Sequence, residues 1–280
     1  MDIYSKIVFI SRPRIWLYTL GSFLFGVQMA FLLGYAVNLA LVLTLCALLT
    51  VPVNLFIYAL NDYFDADSDA HNPKKNKFEH RSDATNTHLL YMAAVALALI
   101  SLVMFSQEVL VVKLFVLWLI TILTYNIPPL RFKARPGLDM LFSANFPLWG
   151  FIGYAVVAHT LPDLSVVIPI AFLSIVFHLY SAINDIPYDK SAGVITSAVY
   201  IGSVKKNILL CVLLTIFAIA SLAYLGWVWV GIGLIVYVIF FLLHLGDTLL
   251  SRDLMSAYRY FIWIHYLIGI PISMSILLYI

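Results

Sequence analysis

Nine apolar runs, each long enough to cross a lipid bilayer as a helix, divide almost the whole chain. A membrane-spanning helix needs about 20 consecutive apolar residues, and charged residues, prolines and glycines separate runs of that length. The predicted helices cover residues 13–34, 38–61, 87–106, 109–127, 138–158, 164–185, 205–225, 228–246 and 258–279. The pattern therefore predicts an all-α polytopic membrane protein, a bundle of nine transmembrane helices.

The composition leads to the same conclusion. Of the 280 residues, 63% are hydrophobic and 11% are charged, whereas a soluble domain carries about 25% charged residues. A soluble helical bundle is therefore excluded. We treat residues 1–280 as one domain with two halves, about 1–135 and 136–280, because each half carries one acidic motif.

The basic residues predict the orientation in the membrane. When successive loops are placed on alternate sides, 15 of the 16 Lys and Arg residues fall on one side, and Lys113 is the exception. Short cytoplasmic loops retain basic residues, so the N-terminus is predicted to be cytoplasmic and, with nine helices, the C-terminus outside. Twelve of the 14 acidic residues share that side, which places any ionic chemistry at the cytoplasmic face of the cell membrane.

The first acidic motif is NDYFDADSD, residues 61–69, at the end of the second apolar run. On a helix that continues from this run, the spacing i, i+3, i+7 puts Asp62, Asp65 and Asp69 on one face, away from Asp67. Carboxylates placed in this way repel each other unless a cation is bound. Mg²⁺ prefers oxygen ligands, and the absence of thiolate and imidazole from the motif argues against zinc or copper.

The second acidic motif is NDIPYD, residues 184–189, at the end of the sixth run. Asp185 and Asp189 are spaced i, i+4. Asn184 directly precedes Asp185, as Asn61 directly precedes Asp62 in the first motif. Both runs end on the same side, so we expect the two motifs to face each other across a central cavity that opens to the cytoplasm. A solvated Asp-rich loop is the alternative for either motif alone, but two motifs at equivalent helix ends favour a shared site for a polyanion.

Basic, aromatic and polar residues complete the candidate site. Lys133 and Arg135 lie in a proline-containing loop, where cations could stabilise a departing diphosphate, and Arg81 follows the first motif; ordinary inside-positive topology is the alternative for each. Aromatic rings could stabilise a carbocation. Asn54 and His178 are polar residues within spans, a placement typical of cavity lining or of hydrogen bonding inside the bundle. The aromatic candidates are Trp16, Tyr18, Tyr58, Tyr125, Trp149, Tyr154 and Tyr180.

Together these motifs resemble the UbiA-type intramembrane prenyltransferases. The resemblance rests on the two acidic motifs and on YNIPPLRFK, residues 125–133, and it covers nearly the whole chain. It implies Mg²⁺, a prenyl diphosphate donor and a membrane-embedded cavity open to lipid for a hydrophobic acceptor, with no nucleic acid as partner. The segments SRPRIWLYTLGSFLFGV and DYFDADSDAHNPKK are most similar to the lycopene elongases, which add C5 units from dimethylallyl diphosphate to lycopene. Gly193 departs from the family pattern, since many members carry a further Asp at that position.

The resulting hypothesis is Mg²⁺-dependent ionisation of the donor to an allylic cation, which a π-nucleophile then attacks. An aromatic quinone precursor or a glycerol-phosphate lipid are alternative acceptors. An ion transporter is disfavoured because it would carry polar groups through the full depth of the membrane. The predicted metal ligands are Asp62, Asp65, Asp69, Asp185 and Asp189; the predicted catalytic residues are Lys133, Arg135, Tyr125 and Tyr180; and the predicted substrate-binding residues are Asn61, Asn184, Asn54 and Arg81.

Overall fold

The computed structural model describes residues 3–66, 86–246 and 253–275, and all regular structure in these ranges is helical. The α-helices are α1 (Ile3–Ile10), α2 (Ser22–Leu32), α3 (Leu39–Phe64), α4 (Asn86–Met104), α5 (Val109–Asn126), α6 (Leu138–Phe142), α7 (Pro147–Ala158), α8 (Leu164–Ile183), α9 (Ile186–Ser191), α10 (Ser197–Ile201), α11 (Val204–Tyr224), α12 (Val228–Leu245) and α13 (Leu254–Ser275). Short 3₁₀ segments cover Pro13–Ile15, Phe132–Ala134 and Ser143–Asn145, and a π-helical turn covers Leu17–Gly21. The prediction of an all-helical protein is confirmed for the described ranges.

Several of these helices are long and apolar enough to cross a membrane. Within the described residues they are α3, α4, α5, α8 and α11, and a sixth span results if the bent pair Tyr4–Ile15 and Leu17–Leu32, which meet at 54°, is taken as one. The chain is thus an integral membrane protein, while the count of nine spans stays a prediction. The fifth predicted run, 138–158, does not form one helix: it is divided into α6, a 3₁₀ turn and α7. Pro147, which has no N–H to donate, starts α7.

The chain forms two compact units. The first comprises Met1–Arg131, Asn145–Leu161 and Gly269–Ile280. In this unit α2 and α7 pack backbone to backbone through glycines. A Cβ atom on Gly26 would lie 1.8 Å from the carbonyl oxygen of Gly150, and one on Gly153 would lie 2.2 Å from that of Phe23. Small residues allow such close approach between membrane helices, so these positions fix the packing of the first unit.

The second unit comprises Phe132–Ala144 and Pro162–Ile268. Here α11 packs against α8 and α12, and aromatic rings from α8, α12 and α13 form a buried cluster. Tyr180 lies 5.1 Å from Phe241 and 4.4 Å from Phe261, measured between ring centroids. The division of the chain into halves near residue 135 stays a prediction.

Candidate active site

The first acidic motif lies at the C-terminal end of α3. The helix ends at Phe64, and Asp65 is its C-cap residue, with φ −107° and ψ 9°. The expectation of one uninterrupted helix through Asp65 is therefore wrong, while the chain from residue 67 to 85 lies outside the described residues. The physical reason is local: Arg131 donates to the last carbonyl of the helix, Phe64 O, at 3.4 Å, and to Asp65 Oδ1 at 2.9 Å. A cation at this position stabilises a helix C-terminus. Asp69 and Arg81 lie outside the described residues.

Asp62 is buried at the same helix end and is paired with Arg12. Arg12 Nη2 donates to Asp62 Oδ1, with 4% of the arginine side chain and 0% of the aspartate side chain exposed. The guanidinium also lies 4.6 Å from the ring centroid of Tyr58, one turn earlier on α3. Two carboxylates of the first motif, Asp62 and Asp65, are thus each balanced by an arginine.

Both arginines adopt a backbone conformation that is uncommon for residues other than glycine. Arg12 has φ 52° and Arg131 has φ 38°. A left-handed backbone at a non-glycine residue costs energy and tends to cluster at functional sites. Neither arginine is among the site residues predicted from the sequence. One local feature of the sequence sets these arginines apart: each lies within two residues of a proline.

Asn61 and Asn54 make helix-to-helix hydrogen bonds in the first unit. Asn61 Nδ2 donates to Asn126 Oδ1 at 3.1 Å, which joins α3 to α5 beside the half-buried Tyr125. Asn54 is fully buried, and its Nδ2 donates to Thr19 Oγ1, Leu49 O and Thr50 O at 2.7–2.9 Å. These contacts surround Pro52, which interrupts the α3 hydrogen-bond ladder. They account for Asn54 as a packing residue, and its binding role stays a prediction.

The second acidic motif lies on a short helix of its own. The span α8 ends at Ile183, Asn184 is its buried C-cap, and Asp185 is the N-cap residue of α9. Asp189 N donates to Asp185 O at 2.8 Å, so the two acids are one turn apart, and both are half-buried. Asp189 Oδ2 also accepts from Thr196 Oγ1 at 3.4 Å.

The basic loop begins the second unit. Lys133 is half-buried in the 3₁₀ turn, and Arg135 is exposed, with its guanidinium 5.9 Å from the Phe132 ring centroid. Four residues later, Asp139 is fully buried. Its carboxylate accepts from Ser197 Oγ and, at 2.8 Å, from Ser197 N, and His178 Nε2 lies 3.5 Å away.

The Asp139 carboxyl has a lowered pKa. Burial acts to raise the pKa, but the contacts with His178 and Ser197 together lower it by more. The carboxyl is therefore held as an anion inside the second unit, with His178 as its neighbour at 3.5 Å.

Tyr180 is also held by a residue that the sequence analysis did not single out. Its hydroxyl lies 2.8 Å from His244 Nδ1, and both side chains are buried. The pair joins α8 to α12 within the aromatic cluster of the second unit. Because the two residues are 64 positions apart, no local pattern indicates the contact.

Comparison with known proteins identifies the family. Residues 18–265 match the UbiA prenyltransferase family. The chain belongs to this family. The resemblance carried by the two acidic motifs is thereby confirmed, and this UbiA-family protein is an enzyme that transfers prenyl groups.

The UbiA-family enzyme is similar in sequence to several lycopene elongase/hydratases. A lycopene elongase/hydratase of Haloarcula japonica is 33% identical over 270 residues, which cover 95% of this chain and 88% of the relative. A lycopene elongase/hydratase of Corynebacterium glutamicum is 26% identical over 288 positions, with 99% of this chain and 98% of the relative covered. The similarity to carotenoid enzymes thus extends over almost the full chain.

Solved structures agree on the fold of the UbiA-family enzyme. A UbiA homologue from Archaeoglobus fulgidus bound to GPP and Mg²⁺ superimposes with a TM-score of 0.69 at 20% identity, covering 96% of this chain and 98% of that one. The same homologue bound to DMAPP and Mg²⁺ gives a TM-score of 0.67 at 18% identity, covering 96% and 99%.

The carboxylate oxygens of the two acidic motifs are ligand atoms of the type that Mg²⁺ prefers. Within the described ranges, no group of three or more His, Cys, Asp or Glu side chains is gathered as a metal site. Each unit instead offers two carboxylates, Asp62 with Asp65 and Asp185 with Asp189. Mg²⁺ typically takes one or two carboxylates from the protein, together with substrate phosphate oxygens and water. Carboxylate oxygens are hard ligands, so each pair suits this ion.

Proposed function

We propose that this enzyme transfers a prenyl group from dimethylallyl diphosphate to the ends of lycopene. One observation carries the proposal: similarity to the named lycopene elongase/hydratases extends over nearly the whole chain. The hydrophobic acceptor enters from the bilayer, which suits a long apolar polyene. The A. fulgidus homologue bound to DMAPP and Mg²⁺ supports an allylic diphosphate as donor.

The two acidic motifs bind the donor diphosphate through Mg²⁺. Asp62, Asp65 and Asp69 of the first motif and Asp185 and Asp189 of the second would hold the metal. When bound, Mg²⁺ supplies charge stabilisation for the diphosphate as its C–O bond to the prenyl group breaks. The chemistry of the donor set supports this role, as does the family. Asn61 and Asn184, the first residues of the two motifs, orient the phosphate oxygens.

Arg12 and Arg131 offset the charges of two carboxylates of the first motif, Asp62 and Asp65. A buried carboxylate without a partner is costly, and each arginine offsets one such charge. With Mg²⁺ and diphosphate bound, the carboxylates would hold the metal and the guanidinium groups would donate to the phosphate oxygens. Planar guanidinium groups suit such contacts. The two arginines therefore exchange one anion for another and never lie unpaired in the apolar interior.

The remaining predicted site residues stabilise the leaving diphosphate and the allylic cation. Lys133 and Arg135, with Arg81, stabilise the departing diphosphate. Tyr125 and Tyr180 present aromatic faces to the allylic cation, which attracts π-systems. An alkene end of lycopene attacks the cation and forms the new C–C bond, and the cation that results on the acceptor then loses a proton. Apolar packing excludes water, which would otherwise quench the first cation.

The site opens to the cytoplasm from a bundle of nine spans with a cytoplasmic N-terminus and an outer C-terminus. The support is the charge distribution, because a one-helix error in the count would scatter the 15 basic residues over both faces.

Expression in lycopene-producing cells tests the donor and the acceptor together. Cells with the wild-type chain are expected to accumulate carotenoids one and two C5 units heavier than lycopene, as read by pigment mass. Cells with Asp62→Asn, at matched membrane levels of the protein, are expected to keep lycopene. Unchanged lycopene with the wild-type chain would overturn lycopene as acceptor, and prenylated quinone precursors in the same extracts would indicate an aromatic acceptor instead.

A further inference from the structure

Asp139 is a buried anion whose hydrogen-bonding capacity is used within the protein. It accepts from both the backbone N–H and the hydroxyl of Ser197, and it lies 3.5 Å from His178 Nε2. Ser197 Oγ in turn accepts from Gly137 N at 2.8 Å. A carboxylate bound in this way is not available to a metal. It joins three separate parts of the second unit: the basic loop, α8 and the start of α10.

The helix α10 is itself fixed at both ends. Asp139 binds the first N–H of this helix, which has no partner within the helix. On the other side, the buried Asn207 on α11 donates from Nδ2 to Ala198 O at 3.1 Å and to Ser203 O at 3.0 Å. These contacts hold the short helix α10 in place. We call residues 196–201, with their contacts to Asp139 and Asn207, the bracket.

Two consecutive residues of this bracket contact the two charged segments. Thr196, the N-cap of α10, donates to Asp189 Oδ2 in the second acidic motif, and Ser197 donates to Asp139 at the end of the basic loop. Asp139 N also donates to Arg135 O at 3.0 Å. Through the peptide bond between Thr196 and Ser197, these hydrogen bonds connect Asp189 of the acidic motif to the backbone of Arg135 in the basic loop.

We propose that Asp139, acting through Ser197, is a positioning residue that fixes the loop carrying Lys133 and Arg135 against the acidic motif carrying Asp185 and Asp189. The inference rests on the proposed function, in which these two segments bind the same diphosphate. Catalysis and tight binding require charged groups to be held close to the productive geometry. Loosening the bracket lets cations and carboxylates move independently, and the diphosphate loses simultaneous contact with both.

The test measures binding of inorganic diphosphate, in the presence of Mg²⁺, to the purified full-length protein by calorimetry. Ser197→Ala removes the hydroxyl and is expected to raise the diphosphate Kd about tenfold, which corresponds to about 1.4 kcal/mol. Ser197→Thr keeps the hydroxyl and is expected to bind more tightly than Ser197→Ala. Asp139→Asn provides a second, milder break of the bracket where Ser197→Ala does not yield folded protein.

Thr215→Val is the matched control, because Thr215 is a fully buried residue of the same unit whose hydroxyl donates to Cys211 O on its own helix at 2.7 Å. It is expected to lower the melting temperature and leave the diphosphate Kd unchanged. A folded Ser197→Ala protein with the wild-type Kd would overturn the positioning role while the proposed function stands. Failure of the wild-type protein to bind diphosphate would overturn the proposed function and the positioning role together.

Discussion

Arg12 and Asp62 form an ion pair in the interior of the first unit, with 4% and 0% of their side chains exposed. The pair brings the end of the N-terminal segment to the end of α3, although the two residues are 50 positions apart. It shows how a carboxylate of an aspartate-rich motif can be buried: an arginine side chain carries the compensating charge. The same arrangement recurs at Asp65 and Arg131.

Removal of Arg12 is expected to destabilise the protein strongly. Arg12→Ala leaves the Asp62 carboxylate buried without its ion-pair partner, and breaking a buried pair in this way costs about 3–5 kcal/mol. The measurement is thermal unfolding in detergent. Arg14→Ala is the matched control, because Arg14 is exposed two residues later. An equal loss of stability in both variants would contradict a specific role for the Arg12–Asp62 pair.

Substitution of Gly26 is expected to disrupt the packing of α2 on α7. A Cβ atom in Gly26→Ala would lie 1.8 Å from a backbone oxygen, which cannot yield as a flexible side chain does, and overpacking costs about 1–3 kcal/mol or more. Gly233→Ala is the control, since its nearest neighbour is 4.0 Å away and Ala favours a helix interior by about 0.8–1 kcal/mol. Melting temperatures should thus move in opposite directions, and a stabilising Gly26→Ala would contradict the close approach.

Asn54→Ala is expected to lower stability and spare substrate binding. The variant removes the donor from Thr19, Leu49 and Thr50, and a lost buried hydrogen bond costs about 1–3 kcal/mol. The measurements are the melting temperature and the KM for the prenyl diphosphate. A raised KM at unchanged stability would instead support the binding role that the sequence predicts.

The Asp139 carboxylate is expected to give a pH-dependent contribution to stability. Its pKa is lowered in the folded protein despite burial, because Ser197 and His178 favour the anion. A group with a lowered folded pKa stabilises the fold above its unfolded pKa of about 3.9, and the contribution is lost as the pH falls through the folded value. The melting-temperature difference between wild type and Asp139→Asn should therefore shrink on acidification below about pH 4. A difference that grows on acidification would contradict the lowered pKa.

Helix positions could be predicted from the sequence because bilayer thickness sets their length. The fourth apolar run, 109–127, corresponds to α5 at Val109–Asn126, and the sixth, 164–185, to α8 at Leu164–Ile183. The division of run 138–158 was missed, because the run is apolar on average despite the buried polar residues Asp139, Ser143 and Asn145 at the break.

The acidic residues of the candidate site could be predicted from the sequence, but the residues that pair with them could not. Repulsion among closely spaced carboxylates indicated that cations must lie near Asp62 and Asp65. Which cations do so depends on tertiary contacts and on left-handed backbone at Arg12 and Arg131, neither of which has a periodic signature. The same holds for His244, whose contact with Tyr180 links helices distant in sequence.

Release of diphosphate by the purified enzyme tests most directly the claim that the two acidic motifs act on one donor. Wild type, Asp62→Asn and Asp185→Asn would be incubated with dimethylallyl diphosphate, lycopene and Mg²⁺, with a parallel sample in chelator and with Asp163→Asn as the control acid outside both motifs. The account predicts Mg²⁺-dependent release by wild type and Asp163→Asn, and its loss in both motif variants. Release at the wild-type rate by a folded Asp62→Asn or Asp185→Asn protein would contradict it.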